Sequence, residues 1–248
     1  VRFGAFIHAC EVVGSTMDVA RDLLRAGAPP GTVVTAEYQT AGRGRQGRVW
    51  HAPRGANVCL TTICEPVEPG AAWQVAQVAG IAAAAAIEDA APSLRPTLKF
   101  PNDVLLGGRK VSGVLVEAVE APEGGGTVVP LIGIGINVRN AGREMPPDIA
   151  ALSTSLEAAT GAPFAVPYVQ SVLLRRLTDA WHRWRTDGFA ALLPEWRRLA
   201  DPDVRRVFIL DGAPVPCRVL DLAADGTVTL ELPDGSRRTV HAAQALFE

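Results

Sequence analysis

The sequence predicts an α+β body followed by a small all-β module, and three observations carry that prediction. Short β-branched runs of strand length alternate with two long apolar stretches of helical spacing, 71–91 and 166–186. From about Val204 the chain changes to short alternating segments around Asp211-Gly212, Asp225-Gly226 and Asp234-Gly235, dipeptides that favour hairpin turns. A chain of 248 residues is also long enough for one large domain and one small one with a sizeable core.

The elements follow in order. Ser15-Thr16-Met17-Asp18 reads as a helix start, since either hydroxyl can cap free backbone donors, and Ala20, Leu23 and Leu24 follow at helical spacing. Gly27 and Pro29-Pro30-Gly31 end that helix. Thr32 to Tyr38 and Asn57 to Ile63 read as strands on their β-branched content. Ala71 to Ala91 is mostly alanine but includes Gln74, Gln77, Glu88 and Asp89, which makes it a buried helix and not a membrane span. Thr97 to Phe100 is a short strand stopped by Pro101, and Val111 to Glu120 is the next, with a turn at Gly107-Gly108 between them. After the glycines 124–126, Thr127 to Val138 gives a further strand ending in Gly133-Ile134-Gly135-Ile136-Asn137. Val166 to Thr186 is a helix carrying Trp181 and Trp184 at i, i+3 for packing, and Phe189 to Leu199 continues it. The stretch 204–248 reads as a separate small β-barrel or sandwich.

Composition excludes several classes. With 48% hydrophobic residues, 20% charged and a net charge of -2, the chain is a folded soluble protein with no general attraction to nucleic acid or anionic membrane. The four cysteines, Cys10, Cys59, Cys64 and Cys217, form no C-x-x-C pair, and the four histidines are scattered, so neither a disulfide framework nor a structural zinc site is expected. Cys59 and Cys64 lie an odd number apart on one strand and should face opposite sides of the sheet, both as packing residues. With no signal peptide, a reducing, cytoplasmic setting is the expectation.

The most distinctive segment is Gly42-Arg43-Gly44-Arg45-Gln46-Gly47-Arg48. Its glycines let backbone approach a ligand closely, and its guanidiniums offer forked donors to phosphate or carboxylate. From Tyr38 to Cys64 there is no Asp or Glu, while Arg43, Arg45, Arg48 and Arg54 all fall there. The bland alternative is a solvated hairpin loop. The spacing satisfies the dinucleotide fingerprint G-x-G-x-x-G, but a strand follows where that motif needs a helix, and Arg48-Val49 stands where a Walker loop needs Lys and then Ser or Thr.

Read in order, five segments resemble the biotin protein ligase family. They are Ser15-Thr16, then 39–50 (QTAGRGRQGRVW), 99–104 (KFPNDV), 109–117 (RKVSGVLVE) and 133–138 (GIGINV). The resemblance runs from about Cys10 to Glu248. It implies a class II aminoacyl-tRNA synthetase-like, mixed-sheet α+β catalytic domain over 1–200 and a C-terminal SH3-like β-barrel over 204–248. It also implies activation of biotin by ATP and Mg2+ to biotinyl-5'-AMP, then transfer to one lysine of the biotin carboxyl carrier protein or domain of acetyl-CoA carboxylase or a related carboxylase. Ser15, Thr16, Met17, Gln39 and Gly113 fall to biotin, with Arg43, Gly44 and Arg45 in the loop that closes over it. Lys110 falls near the biotin carboxylate and α-phosphate. Gly42, Arg43, Arg45, Arg48, Trp50, Asn102, Asp103 and Asn137 fall to the nucleotide, with Asp103 a candidate Mg2+ ligand and Arg45 and Lys110 the catalytic pair. Met17 stands where the family commonly has Asn, Phe100 where it has Trp, and Gln46 where Arg or Lys is frequent. The family's winged-helix repressor domain has no counterpart in these residues, so no DNA partner, no membrane partner and a monomer or homodimer are expected.

The chemistry fits those residues. Acyl adenylation brings a carboxylate against an α-phosphate, so fixed cations are the main requirement, and no enzyme nucleophile is needed. Each residue keeps a plainer reading: Ser15 and Thr16 as a helix cap, Asp103 as turn chemistry, Lys110 as a hairpin lysine, Gly133 and Gly135 as a bulge or tight packing, Trp50 as core. The loop 42–48 is expected to order on ligand. A lipoate-protein ligase or lipoyl transferase shares the logic but lacks this loop, and an RNA-binding protein would need more aromatic stacking than 6% aromatics supplies.

Overall fold

The computed structural model describes residues 1–121, 124–139, 145–201 and 203–245. A seven-stranded sheet runs in the order β1-β2-β3-β7-β6-β5-β4. Its strands are β1 Phe6–Val13, β2 Thr32–Gln39, β3 Asn57–Ile63, β4 Thr97–Lys99, β5 Asp103–Leu106, β6 Arg109–Glu120 and β7 Val128–Asn137. The β1–β2 pairing is parallel and the others are antiparallel, so the sheet is mixed. The helices are α1 Thr16–Arg25, α2 Ala72–Ala90, α3 Pro147–Leu152, α4 Leu156–Thr160, α5 Val166–Asp187 and α6 Leu193–Leu199.

Strand periodicity assigns each face of the sheet its job. On β7 the side chains of Ile132, Ile134 and Ile136 join the main core, and on β3 those of Val58 and Leu60 do the same. That core is completed by α2 and α5, which pack on each other and on this face. The alternate residues point the other way. There α1 covers one end through Met17, Ala20 and Leu24, packed against Val34, Ile63 and Leu131. Because α1 is only 10 residues long, the rest of that face is left open.

The two tryptophans of α5 are satisfied at their polar ends. Trp181 and Trp184 meet edge to face at 4.9 Å, and their indole N–H groups donate to Glu65 and Gln74. Pro69–Ala90 is apolar and long enough to cross a membrane, yet 78% of its 18-residue apolar window is buried inside the protein, as in a core helix.

The second sheet, β8 Arg205–Leu210, β9 Ala213–Leu222, β10 Thr227–Glu231 and β11 Arg237–His241, is an antiparallel meander closed by α7 Ala242–Ala245. Its first turn needs both central residues at positive φ, and Asp211 (φ 53) and Gly212 (φ 81) supply them. Phe208, Cys217, Leu222, Val228 and Leu230 join the same apolar cluster as α2 and α5, so this SH3-like module is packed onto the body.

Four readings need correction. β1 was not anticipated, because Phe6, Ile7 and Val12 stay exposed on an edge strand and leave no burial pattern. The segment between Pro101 and Gly107 is not only a turn: Asp103–Leu106 forms β5. The stretch after α5 is not one continuous helix, since Gly188 at φ 76 breaks it before a short 3-10 turn and α6. α3 and α4 are too short for a periodic signal.

One ion pair ties the core helices together at the surface. Asp89 on α2 accepts from Arg175 at 2.9 Å and from Arg176 at 2.7 and 2.5 Å, and the Arg176 contacts hold its carboxyl below the usual range. A depressed carboxyl contributes stability above its unfolded pKa and loses it as pH falls through the folded one. Asp89→Asn should therefore destabilise by on the order of 1 kcal/mol at neutral pH, and urea midpoints of variant and parent should converge in acid.

Candidate active site

The open face of the sheet floors a cavity of about 620 Å³. Along β7, Gly133, Gly135 and Asn137 line it, and from Gly133 to Asn137 the strand runs about 14 Å at its usual rise. Different elements meet over each residue.

Over Gly133 lies the start of α1. Ser15 caps the helix by accepting from the Met17 amide at 3.3 Å. Thr16 donates its amide and its hydroxyl to Gln39 Oε1 at 2.8 and 3.0 Å, and its hydroxyl is 2.8 Å from that of Thr61. Met17 is buried, and a Cβ added at Gly133 would come 3.0 Å from its methyl. The result is a pocket of neutral hydroxyls and one amide with an apolar wall.

Over Gly135 lies Trp50. Gly135 pairs across the sheet with Gly113. A Cβ would meet the indole at 2.3 Å on Gly135, which requires glycine there, and at 3.1 Å on Gly113, a tight contact. The two glycines are there for close approach, not for a bulge. Cys59 is buried, as a packing residue should be, at 3% exposure, and it also lines this part of the cavity. Cys64, facing the other way, is core. Burial pushes the Cys59 thiol up to about 11 against the opposing pull of Trp50 and Gln39.

Toward Asn137 the lining becomes cationic. Lys110 stands 2.6 Å from Asp103 and 5.6 Å from the Trp50 ring centre. Arg45 donates to Asn102 Oδ1 at 3.2 Å, while Asn102 Nδ2 donates to the carbonyl of Val114. Arg206, from β8, reaches the same cavity. Burial, then the neighbouring Arg206 and also Arg48 pull the Arg45 pKa below its ordinary value, with Asp103 opposing. A cluster of like charges in a half-buried site favours an anionic ligand that neutralises it.

The loop is a hairpin. Its base is closed by the Trp50 amide donating to the Gly42 carbonyl at 2.9 Å, and Arg43 bridges to Val49. A Cβ at Gly42 would lie 2.7 Å from the Trp50 carbonyl oxygen, which requires glycine there.

Of the residues singled out from sequence, Ser15, Thr16, Met17, Gln39, Arg43, Gly44, Arg45, Arg48, Trp50, Asn102, Asp103, Lys110, Gly113 and Asn137 all line the cavity. Gly42 does not; it closes the hairpin base behind it. Asn137 lines the cavity with an amide already engaged, accepting from Asn57 and donating to the carbonyl of Thr154. Asp103 is ion-paired with Lys110, and no cluster of three or more metal-binding side chains exists among the described residues. Such a site fits magnesium only as a single carboxylate beside an ion carried by phosphates.

Sequence reasoning missed Arg206, Thr61 and the apolar Met145, Ile149 and Leu152 around α3. For Arg206 a signal existed: Phe208 and Leu210 on the same strand are buried, so residue 206 shares their inward register.

The sequence model of the biotin/lipoate A/B protein ligase family matches residues 9–137. The bifunctional ligase/repressor BirA of Bacillus spizizenii is 33% identical over 236 residues, covering 94% of this chain and 71% of that protein. BirA of Bacillus subtilis is 34% identical, but the alignment spans 58% of its length and 77% of this chain. The acetyl-CoA-carboxylase biotin ligase of Paracoccus denitrificans is 34% identical, covering 86% of this chain and 89% of that one. A biotin protein ligase from Aquifex aeolicus, solved with biotin and ATP, superposes with TM-score 0.78 over 97% of each chain at 24% identity, a likeness of fold.

With its thiol held protonated, Cys59 should resist iodoacetamide at neutral pH in the folded protein and react once the chain is unfolded, as peptide mass spectrometry would read. Rapid labelling of folded Cys59 would contradict the burial described.

Proposed function

The chain belongs to the biotin/lipoate A/B protein ligase family, and from that premise we propose that it is an ATP-dependent biotin protein ligase. It activates biotin to biotinyl-5'-AMP with release of pyrophosphate. It then passes the biotinyl group to a lysine on the carrier domain of acetyl-CoA carboxylase or a related carboxylase. The observation that carries this reading is the graded cavity: a neutral polar pocket at one end, a cationic cluster at the other, and an indole between them over a glycine floor.

In this reading Ser15, Thr16 and Gln39 bind the polar head of biotin, with Met17 as an apolar wall where the family commonly places Asn. Trp50 and Gly113 flank the acyl chain. Its carboxylate then meets the cations. A carboxylate oxygen attacks the α-phosphorus, the bond to the bridging oxygen breaks, and pyrophosphate leaves. Lys110 and Arg45 offset the charge that builds between the two anions, the largest contribution available to such a step. Asn102 holds the Arg45 guanidinium in place. Among the described residues Asp103 is the one carboxylate here that would meet a Mg2+ carried on the ATP phosphates, where the ion would screen their charge. In the second half-reaction the neutral amine of the acceptor lysine attacks the acyl carbon, AMP departs with the bonding pair, and the amine loses its proton.

Arg206 gives the C-terminal sheet a part in this scheme. Residues 1–200 form the catalytic body, and 204–248 a module that completes the anion-binding end.

Biotin-dependent exchange of labelled pyrophosphate into ATP is the test. Exchange should occur with biotin and not with lipoate, and Arg45→Ala should slow it by on the order of 10² to 10³. Exchange supported by lipoate alone would move the assignment to the other branch of the family. Arg206→Ala should raise KM for ATP and leave KM for biotin unchanged; equal rises in both would contradict its placement on the nucleotide.

A further inference from the structure

The arginine loop is held at its first arginine by a ring of charges. Arg43 donates from Nη1 to Asp18 Oδ2 at 2.7 Å and from Nη2 to Asp18 Oδ1 at 2.8 Å, a forked pair. Its guanidinium also lies 3.6 Å from Glu117 Oε1. Arg21, one turn along α1 from Asp18, contacts the Asp18 carboxylate at 2.9 Å and forms a second ion pair with Glu117. Two carboxylates and two guanidiniums thus alternate around a ring that joins α1, β6 and the loop.

A lone exposed ion pair contributes little to stability, and Asp18 and Arg43 are 46% and 37% exposed. Two features lift this case above that rule: the contact is bidentate, and it belongs to a closed network. The pKa directions agree with the geometry. The Arg43 hydrogen bonds hold the Asp18 carboxyl below its usual range against partial burial, and Asp18 raises Arg43 in turn. Asp18 also occupies the first turn of α1, where the helix dipole favours a negative charge.

The next part of the loop is held differently. Beyond Arg43, the backbone bonds of the tip run from the Gly44 amide to the Arg48 carbonyl and from the Arg48 amide to the Arg45 carbonyl, all within the tip itself. Gln46 and Gly47, at φ 57 and 71, form the turn. Arg43 thus ties the first strand of the loop to α1 and β6 by charge, two residues before Arg45, which itself donates to Asn102.

We propose that Asp18 and Glu117 are positioning residues that pin Arg43, so that the first strand of the loop is docked on α1 before any ligand arrives and only the tip, 44–48, has to order around it. The proposal rests on the reading that this loop closes over an acyl-adenylate. Its consequence is a smaller ordering cost on binding, since fewer residues lose conformational freedom when the site closes. Asp18 touches no reacting atom in this scheme and acts through Arg43.

Hydrogen–deuterium exchange on the ligand-free protein tests it. In Asp18→Asn, the amides of Gly44 and Trp50 should exchange several-fold faster than in the parent, with α1 and the sheet unchanged. Asp18→Glu should restore slow exchange, and Glu117→Gln should give an intermediate effect. In steady state Asp18→Asn should raise KM for biotin while kcat at saturation holds. Loop exchange that stays at the parent level in Asp18→Asn would overturn the proposal, as would faster exchange spread over α1, which would mark Asp18 as a helix-stabilising residue only. Exchange is read without substrate, so a protein that proved inactive toward biotin would still test the pin, and failure of the pin would leave the ligase reading standing.

Discussion

One strand of alternating isoleucine and small or polar residues separates the core from the site. Ile132, Ile134 and Ile136 are anchored in the packing of α2 and α5, and Gly133, Gly135 and Asn137 look into the cavity. The period of two allows both jobs in one segment, and a slip of one residue would put isoleucines in the cavity and glycines in the core. Everything at the site depends on the room those glycines leave. Trp50 packs against the sheet where a Cβ on Gly135 would clash with its ring, and the Trp50 backbone in turn closes the arginine hairpin on Gly42. Packing at the sheet thereby sets where Arg45 can reach.

Electrostatics builds on that frame. The chain as a whole carries a net charge of -2, yet Arg45, Lys110, Arg206 and Arg48 converge on one cavity. Their mutual repulsion is moderated by Asp103 and by partial exposure, and an incoming polyphosphate would relieve it further. Cations held apart from one another by rigid strands need little rearrangement when charge develops between two reacting anions. The contribution of β8 explains why the small sheet is packed into the main core. A residue delivered across a loose hinge would not hold position at this range.

Much of this was legible in the sequence, and the limits have physical causes. β2, β3 and α2 emerged within a residue or so of their bounds because burial made their composition one-sided. The cavity lining was legible because each of its motifs is local: the loop, the Pro-Asn-Asp turn and the glycine strand each carry constraints that only certain residues meet. β1 stayed hidden because an exposed edge strand has no apolar face to read. Arg206 shows an inward register in the sequence, but only tertiary packing brings its strand to the cavity, and that the sequence does not show. For Cys59 the sequence shows that it faces away from Cys64 but not that its face of the sheet borders the cavity. Arg43 reads as a ligand-binding arginine from spacing alone, while the acid that holds it lies on a helix that starts before the loop.

A cavity neutral at one end and cationic at the other suits an acyl-adenylate. Calorimetric titration of the protein with a non-hydrolysable biotinyl-adenylate analogue, at low and high salt, tests that most directly. The account predicts one site per chain, tighter binding than for biotin or ATP alone, and an affinity that falls as salt screens the cationic end. No binding, or equal affinity for the lipoyl analogue with no dependence on salt, would contradict it.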